Sequence, residues 1–264
     1  MSAAAGATQQ SSACEWPERA AALFEALRER RTRVHAITNA AAQVLTANLL
    51  LAAGGTPSLT VTPDEITAFA ARADALLVNL GTLDADRRAA IPWAVATVRA
   101  QGKPWVLDPV FAEASPTRLD LARLCIAGKP CVVRCNAAEF AALAGEEASL
   151  DAVMAYAATR QTVIALTGPI DWVSDGERFV AIENGDPMMA LVTAIGCAAT
   201  ALIAALTALE EDAFVATASG LLLVGIAGEI AGERACGPGS FASAFLDALH
   251  ALEPADIRSR ARLR

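Results

Sequence analysis

Short apolar runs alternate with longer segments of helical spacing along most of this 264-residue chain. The predicted strands include the runs RVHAIT, ALLVNLG, PWVLD, CVVRC and QTVIALTG, and helical segments lie between them. This alternation is typical of a parallel sheet, because a parallel crossover needs a connection as long as a helix. We therefore predict an α/β fold with a largely parallel central sheet covered by helices on both faces.

Glycine, proline and aspartate mark where several predicted elements end. Gly54 and Gly102 each follow a helical segment, as expected of residues that accept a left-handed backbone at a helix C-terminus. Pro92 lies inside the segment DADRRAAIPWAVATVRAQG, where it should kink the helix or divide it in two. Asp175 and Gly176 separate two alternating segments, which predicts a β-hairpin.

Charge and hydropathy argue against two classes of partner. The formal net charge is -8, and the basic cluster IRSRARLR at the C-terminus is predicted to be a solvated final helix turn. Polyanionic nucleic acid is therefore not an expected partner. Hydrophobic residues make up 55% of the chain and the mean hydropathy is +0.40, but no uninterrupted apolar run reaches membrane-spanning length. We predict buried helices and no membrane association.

The cysteines and the N-terminal stretch indicate the compartment and the domain organisation. Six cysteines form no CxxC pair and no disulfide framework, which is typical of a reduced cytoplasmic protein. The N-terminus lacks the basic start and apolar segment of a secretory signal. No linker or internal repeat divides the chain. We predict a flexible tail over residues 1–16, a single domain over residues 17–264, and a cytoplasmic location.

Polar side chains follow the predicted strands at their carboxyl ends, where open α/β sheets bind ligands. They are Thr38, Asn39, Asn79, Asp108, Arg134, Asn136, Glu139, Thr167, Gly196 and Cys197. For the asparagines, and for Thr82, helix capping is the simpler role. The convergence of two carboxylates, an arginine and a glycine at a helix start instead indicates a phosphate and magnesium site.

Each of these groups has a chemical task at such a site. Asp108 and Glu139 offer hard oxygen ligands, directly or through water, to Mg²⁺. Arg134 offers a fork of donors to phosphate. Gly196 begins a helix whose amides would stabilise charge on a transferred phosphoryl group. The chain contains no G-x-x-x-x-G-K-[ST] sequence, so this would be a kinase site without a P-loop.

Cys197 follows Gly196 in the stretch VTAIGCAATA, and two roles are open. A cysteine in an apolar helix commonly packs as a small hydrophobic residue. At a helix N-terminus, however, the positive end of the helix lowers the pKa of a thiol. As a thiolate or as a hydrogen-bond partner, Cys197 could orient and deprotonate an attacking alcohol.

Motifs in a fixed order carry a family resemblance. Between about residues 34 and 246 the chain reads HAITN, TANLLLAAGGTP, NLGTL, VLDPV, RCNAAEF, ALTGPIDWVSDG, VTAIGC and GPGSF. In these motifs it resembles the hydroxyethylthiazole kinases, thiamine-salvage enzymes of the ribokinase-like superfamily. The resemblance implies a ribokinase-like fold and a homotrimer with active sites between subunits. It also implies ATP- and Mg²⁺-dependent phosphorylation of the primary alcohol of 4-methyl-5-(2-hydroxyethyl)thiazole.

The resemblance implies roles at matching positions. Cys197 matches the cysteine that takes the place of the aspartate base in related sugar kinases. Arg134 and Thr167 match ATP contacts, while Asp108 and Glu139 match acidic residues near phosphate and magnesium. On the substrate side, the matching residues are Leu59, where methionine is usual, Ala194, where glycine is usual, and Asn39.

The chain departs from the family pattern around the expected phosphates. Ala194 replaces a glycine of the usual Gly-Ala-Gly-Cys sequence, and an alanine fits only if that turn does not need a positive φ. The usual DPVGAGA reads DPVFAEA, with Phe111 and Glu113, and we expect Glu113 to point outward. Cys135 stands in place of another glycine.

Two other functions are compatible with the same sequence. A kinase for a different heterocyclic alcohol, such as a hydroxymethylpyrimidine, would use a related cysteine after a glycine-containing turn. A non-catalytic ligand-binding protein could also be built on this fold. Phosphorylation assays with both alcohols distinguish the two kinases, and substitution of Cys197 distinguishes either from a binding protein.

Overall fold

The computed structural model describes residues 15–264. Most of the predicted tail, residues 1–14, lies outside the described residues. The first helix begins at Trp16, inside the range predicted as tail. The Trp16 ring is buried and meets Phe214 edge-on, with 5.6 Å between the ring centroids.

Eight strands form one sheet with the order β2-β1-β3-β4-β5-β6-β7-β8. They are β1 (Arg33–Ile37), β2 (Thr56–Ser58), β3 (Ala75–Asn79), β4 (Trp105–Asp108), β5 (Val132–Asn136), β6 (Val163–Thr167), β7 (Asp171–Ser174) and β8 (Phe179–Ile182). Strands β1 to β6 pair in parallel, and β7 and β8 extend the sheet as an antiparallel hairpin. The largely parallel sheet and the hairpin are both confirmed.

Eleven α-helices are seen among the described residues. They are α1 (Trp16–Arg30), α2 (Gln43–Ala53), α3 (Pro63–Arg72), α4 (Ala85–Ala100), α5 (Pro116–Ala127), α6 (Ala137–Ala144), α7 (Leu150–Arg160), α8 (Ile195–Thr207), α9 (Ala213–Arg234), α10 (Pro238–Ala251) and α11 (Pro254–Arg260). One face of the sheet carries α3 to α7, and the other carries the remaining six. The strands serve both cores because successive side chains alternate: Leu77 packs into one core, Leu76 and Val78 into the other.

Helix α9 could cross a membrane by its length and composition alone. Most of its apolar stretch is buried inside the protein, where it packs against α1, α8 and α10. The core helix of an α/β protein is hydrophobic on all sides for the same reason. Its position therefore agrees with the prediction that the apolar runs form buried helices.

Pro92 does not divide α4, which is continuous from Ala85 to Ala100. Of the two outcomes predicted for this proline, two separate helices is therefore wrong. Proline removes one backbone donor from the helix, and the hydrogen-bond ladder continues on both sides of it. Asp84 caps the helix by accepting a hydrogen bond from the Arg87 amide at 2.8 Å.

The prediction that the C-terminal basic cluster is a solvated final helix turn is confirmed for residues 257–260, which end α11 with Arg258 exposed, and is wrong for residues 261–264. After α11 the chain runs beside β8, and the backbones of Ala181 and Arg264 exchange hydrogen bonds of 2.8 and 3.0 Å. Four arginines make ion pairs within the protein: Arg258 with Glu18, Arg260 with Glu233, Arg262 with Glu229, and Arg264 with Glu183. Each of the four arginines thus has an acidic partner within the protein, and the backbone of the last residues extends the sheet edge at β8.

His35 on β1 is fully buried and holds the segment that follows β2. Its Nε2 lies 3.0 Å from the carbonyl oxygen of Thr60, and its Nδ1 lies 2.8 Å from the Ser58 hydroxyl. Because a carbonyl only accepts, Nε2 carries the proton and Nδ1 accepts from Ser58. Burial lowers the pKa of His35 to about 4.

We expect His35 to make the protein less stable in acid. The unfolded chain takes up a proton near pH 6.5, while the folded His35 resists protonation down to about pH 4. Stability is therefore lost as the pH falls through this window, by up to about 3 kcal/mol from this group. The free energy of unfolding in urea, measured from pH 7 to pH 4, should fall more steeply for the parent protein than for His35→Gln. If the free energy of unfolding fell equally with pH in both proteins, the predicted contribution of His35 would be wrong.

Candidate active site

The carboxyl ends of β1, β3 and β4 bring three polar side chains into one buried network. Asn79 Nδ2 donates to Asp108 Oδ2 at 2.7 Å, and Asn39 Nδ2 donates to Asn79 Oδ1 at 3.1 Å. Strand register explains the contact between the first two, since Asn79 and Asp108 are paired residues at the ends of β3 and β4. Asn79 caps no helix, so the capping role predicted for it is wrong.

Asp108 is fully buried and its two oxygens have different surroundings. Oδ2 accepts from Asn79 and, at 3.2 Å, from the Thr200 hydroxyl of α8. Oδ1 is buried with no hydrogen-bond partner in the described structure, 4.0 Å from Arg134 Nη1. Burial raises the pKa of Asp108, while the Arg134 charge and the hydrogen bonds oppose the rise.

Arg134 lies between Asp108 and the start of α8. A Cβ built on Gly196 would lie 2.6 Å from Arg134 Nη2, so the guanidinium needs the space that glycine leaves. Burial alone would lower the pKa of Arg134, but the negative charges around it, Asp108 first, raise it. This arginine is therefore a permanent cation held against the helix start.

The N-terminus of α8 presents backbone amides without a side-chain cap. The first intrahelical bond runs from the Ala198 amide to the Ala194 carbonyl, so the amides of residues 195–197 have no helical partner. Ala194 precedes the helix at φ 73, the left-handed region. Glycine is favoured at such a position because it has no Cβ. This chain therefore carries a strained alanine in the turn that leads into α8.

Cys197 is half-buried in the first turn of α8, and its Sγ accepts a hydrogen bond from Asn39 Nδ2 at 3.4 Å. Burial, together with the negative charge of Asp108, raises the pKa of the thiol to about 12, although the amides of Asn39 and Asn79 oppose this. Of the two forms considered for Cys197, thiolate or neutral hydrogen-bond partner, this raised pKa favours the second. Cys197 is a neutral thiol whose polar atom faces the network.

Glu139 is a buried carboxylate in α6 whose oxygens are both occupied. Oε2 accepts from the Asn136 amide at 2.9 Å, which completes a capping box, and Oε1 accepts from the Phe111 amide at 3.0 Å. Burial raises the pKa of Glu139. The capping role predicted for Asn136 is confirmed, and Glu139 joins this cap to the turn after β4.

The turn after β4 contains the second departure from the family pattern. Phe111 has φ 57, in the left-handed region, and its side chain is 58% exposed. Glu113 is also exposed, as expected. Cys135 is fully buried in the sheet core. The turn therefore contacts Glu139 through the backbone amide of Phe111, while the Phe111 and Glu113 side chains are exposed.

Thr167 ends β6 beside Asn136, and its hydroxyl donates to the Cys135 carbonyl at 3.4 Å. Asp171 closes the following turn by accepting from the Gly168 amide at 3.0 Å. Burial raises the pKa of Asp171 to about 6, and its charge acts on Arg134. Sequence reasoning missed Asp171, although an aspartate shortly after a strand-end Thr-Gly could have drawn attention to it.

Leu59 lies at the edge of the sheet, after β2, away from the central carboxylates. It is half-buried and packs against the core on the α2 face. Its neighbours Ser58 and Thr60 are the residues that His35 binds. Because β1 is the neighbour of β2 in the sheet, Asn39, which follows β1, and Leu59, which follows β2, come after adjacent strands.

The donor set is suited to Mg²⁺. The unpartnered Oδ1 of Asp108 is a free hard ligand in a buried position, whereas the oxygens of Glu139 already bind amides. Among the residues the structure describes, three metal-binding side chains nowhere come together. Mg²⁺ needs no such cage, because it keeps several waters and takes one or two carboxylates together with phosphate oxygens.

Replacing Ala194 by glycine is expected to stabilise the protein. The substitution relieves left-handed strain of roughly 1–2 kcal/mol, against which glycine adds backbone entropy to the unfolded chain. We expect a net gain of about 0.5–1 kcal/mol in the free energy of unfolding in urea, with turnover preserved. Ala208→Gly, at the other end of α8 with φ -80, is the matched control and should lose stability. If Ala194→Gly lost as much unfolding free energy as Ala208→Gly, Ala194 would not be strained.

Comparisons with known proteins give the following matches. The family model described as "Hydroxyethylthiazole kinase family" matches residues 24–255. A hydroxyethylthiazole kinase from Granulibacter bethesdensis is 44% identical, over 97% of this chain and 98% of the relative. A probable hydroxyethylthiazole kinase from Agrobacterium fabrum is 45% identical, over 93% of this chain and 94% of the relative.

Solved structures give the same picture for the fold. A hydroxyethylthiazole kinase protein from Pyrococcus horikoshii superposes with a TM-score of 0.90 at 36% identity, over 94% of this chain and 98% of that one. A pyridoxal kinase from Bacillus subtilis, solved with ADP, has a TM-score of 0.58 at 18% identity, over 74% and 91%. The second likeness concerns the fold alone, which is ribokinase-like.

Proposed function

The chain belongs to the hydroxyethylthiazole kinase family, and from this premise we propose that it phosphorylates the primary alcohol of 4-methyl-5-(2-hydroxyethyl)thiazole. ATP is the phosphoryl donor that a kinase of this family uses. The observation that carries the proposal is the uncapped start of α8, with Arg134 held against Gly196 and Cys197 one residue further. A phosphoryl group and an alcohol can meet at that point.

In the proposed reaction the alcohol oxygen bonds to the γ-phosphorus as the bond from phosphorus to ADP breaks. The first amides of α8 and the Arg134 guanidinium stabilise the charge on the phosphoryl oxygens. The Cys197 thiol, with its pKa near 12, orients the alcohol by a hydrogen bond, and the proton is released to water. Phosphoryl transfer through a loose transition state depends on such positioning more than on a strong base.

The proposal assigns the remaining residues by their position. Thr167 binds ATP together with Arg134, while Asn39, Leu59 and Ala194 form the thiazole side. Asp108, through its free Oδ1, and Glu139, through water, would hold Mg²⁺. When bound, the ion would neutralise phosphate charge.

We also propose a homotrimer with active sites between subunits, as the family resemblance implies. Its support here is an apolar stripe on α2: Val44 is 73% and Leu51 is 59% exposed, about two turns apart on one helix face. The helix begins at Gln43, four residues after Asn39. Light scattering should give a mass of about three chains.

The proposed compartment is the cytoplasm, supported by the free thiols of the described cysteines.

Assays of the purified protein with ATP and Mg²⁺ test the proposed function. We expect phosphorylation of the thiazole alcohol, and turnover of hydroxymethylpyrimidine alone would overturn the proposal. Cys197→Ala should lower kcat roughly 30- to 100-fold, at the lower end for proton-handling groups, because it removes an orienting hydrogen bond and no charge. Thiazole affinity, measured by calorimetry, should change far less. Equal losses in kcat and affinity would indicate that Cys197 only packs.

A further inference from the structure

We propose that Asn79 is a positioning residue that turns the free oxygen of Asp108 toward the metal and phosphate side of the site and ties this carboxylate to the Asn39–Cys197 pair. The inference rests on the proposed function and deepens it. Asn79 would touch neither substrate nor metal, and it would act through the two groups that it binds.

The side chain of Asn79 can be oriented in one way only. Its Oδ1 accepts from the Gly81 amide at 3.0 Å and from Asn39 Nδ2 at 3.1 Å. Both partners are donors, so an oxygen must face them and the NH₂ group must face Asp108. Asn79 is 1% exposed, and water does not compete for these bonds.

The oriented amide in turn fixes the Asp108 carboxylate. Asn79 donates to Oδ2 at 2.7 Å. The Thr200 hydroxyl shares its one proton between Oδ2 at 3.2 Å and the Gly196 carbonyl oxygen at 3.1 Å. Rotation of the carboxylate would therefore break the Asn79 bond and lose the Thr200 contact. Oδ1 is left unpartnered in a fully buried position near Arg134. Partners behind a metal ligand commonly set its orientation in this way.

Asn79 also joins the two chemical halves of the site. Asn39 shares its NH₂ group between Asn79 Oδ1 and Cys197 Sγ, at 3.1 and 3.4 Å. The hydrogen bonds thus run without a break from the thiol proposed to orient the alcohol to the carboxylate proposed to hold the metal. A displacement of Asn79 would disturb both ends.

The competing explanation is that Asn79 only satisfies a buried carboxylate. That role predicts a loss of stability with no change in how Mg²⁺ affects nucleotide binding. A positioning role predicts a weaker coupling between Mg²⁺ and ADP, because the metal ligand is no longer held in place. Calorimetric titration with ADP, in EDTA and in saturating Mg²⁺, measures this coupling without turnover.

For Asn79→Ala we expect the Mg²⁺-induced tightening of ADP binding to fall about tenfold, with ADP affinity in EDTA nearly unchanged. Asn79→Ser and Thr200→Val should show smaller losses in the same direction, which keeps the test available if the alanine variant does not fold. Thr46→Val, which removes a buried unpartnered hydroxyl from α2, is the matched control and should keep the full coupling.

The two proposals fail in different ways. If the parent protein phosphorylates no thiazole alcohol, the proposed function is wrong. If the parent is active and Mg²⁺ tightens ADP binding, but any folded Asn79 variant keeps the full tightening, the positioning role alone is wrong. If Mg²⁺ leaves ADP binding to the parent unchanged, both the metal assignment and the role of Asn79 are overturned.

Discussion

Replacing Asp108 by asparagine should lower kcat by about 10³-fold, close to 4 kcal/mol of transition-state stabilisation. The new amide oxygen can take the place of Oδ2 and keep the bonds from Asn79 and Thr200. The amide nitrogen then occupies the position of the unpartnered Oδ1. Nitrogen of an amide does not bind Mg²⁺, so the substitution removes the proposed metal ligand and keeps the shape of the network.

Stability separates this effect from unfolding. Burial disfavours the Asp108 charge, so loss of that charge offsets part of the loss of the Arg134 ion pair, and we expect the variant to fold. The same change at Asp86, in the first turn of α4, should leave kcat within about twofold. Steady-state rates and urea unfolding of both variants provide the measurement. Asp108→Asn with near-parent turnover would remove Asp108 from the metal site.

The alternation of strands and helices predicted most of the fold, because a parallel sheet leaves a direct pattern in sequence. The apolar runs form the strands. Their carboxyl ends were predicted to carry the ligand site, and there Asn39 and Asp108 belong to one hydrogen-bond network, joined through Asn79. Pro92 shows the limit of local rules. Pro92 removes one backbone hydrogen-bond donor. This loss is small beside the packing of Ile91 and Ala94 in the core, so α4 stays continuous.

The site was predicted less completely, since its properties depend on contacts between distant segments. Burial and the negative charge of Asp108 raise the pKa of Cys197, and the local sequence around the helix start reveals neither of them. In the sequence, Asn79 is a possible helix cap. Its contact with Asp108 depends on the pairing of β3 with β4, which the local sequence does not show. Arg258 and its neighbours look like a free basic tail, because their glutamate partners are remote in the chain.

Gly196→Ala should reduce kcat/KM for ATP by at least about 10²-fold while leaving the protein folded. Alanine is favoured over glycine inside a helix by about 1 kcal/mol, so α8 itself should gain. The added Cβ, however, would lie 2.6 Å from Arg134 Nη2 and 3.1 Å from its Cζ. The guanidinium must move from the helix start, and a displacement of about 1 Å is enough to cost this much in a positioned reaction.

The matched control for this substitution is Gly239→Ala. Gly239 is likewise the second residue of its helix, α10, and a Cβ built there meets nothing within 4 Å. This variant should gain a little stability and keep the parent rate, since the same change in helix propensity reaches no functional group. The ADP dissociation constant should rise for Gly196→Ala alone, because Arg134 is the cation that the new methyl group displaces. Equal rates in the two variants would mean that the close approach of Arg134 to α8 has no part in nucleotide binding.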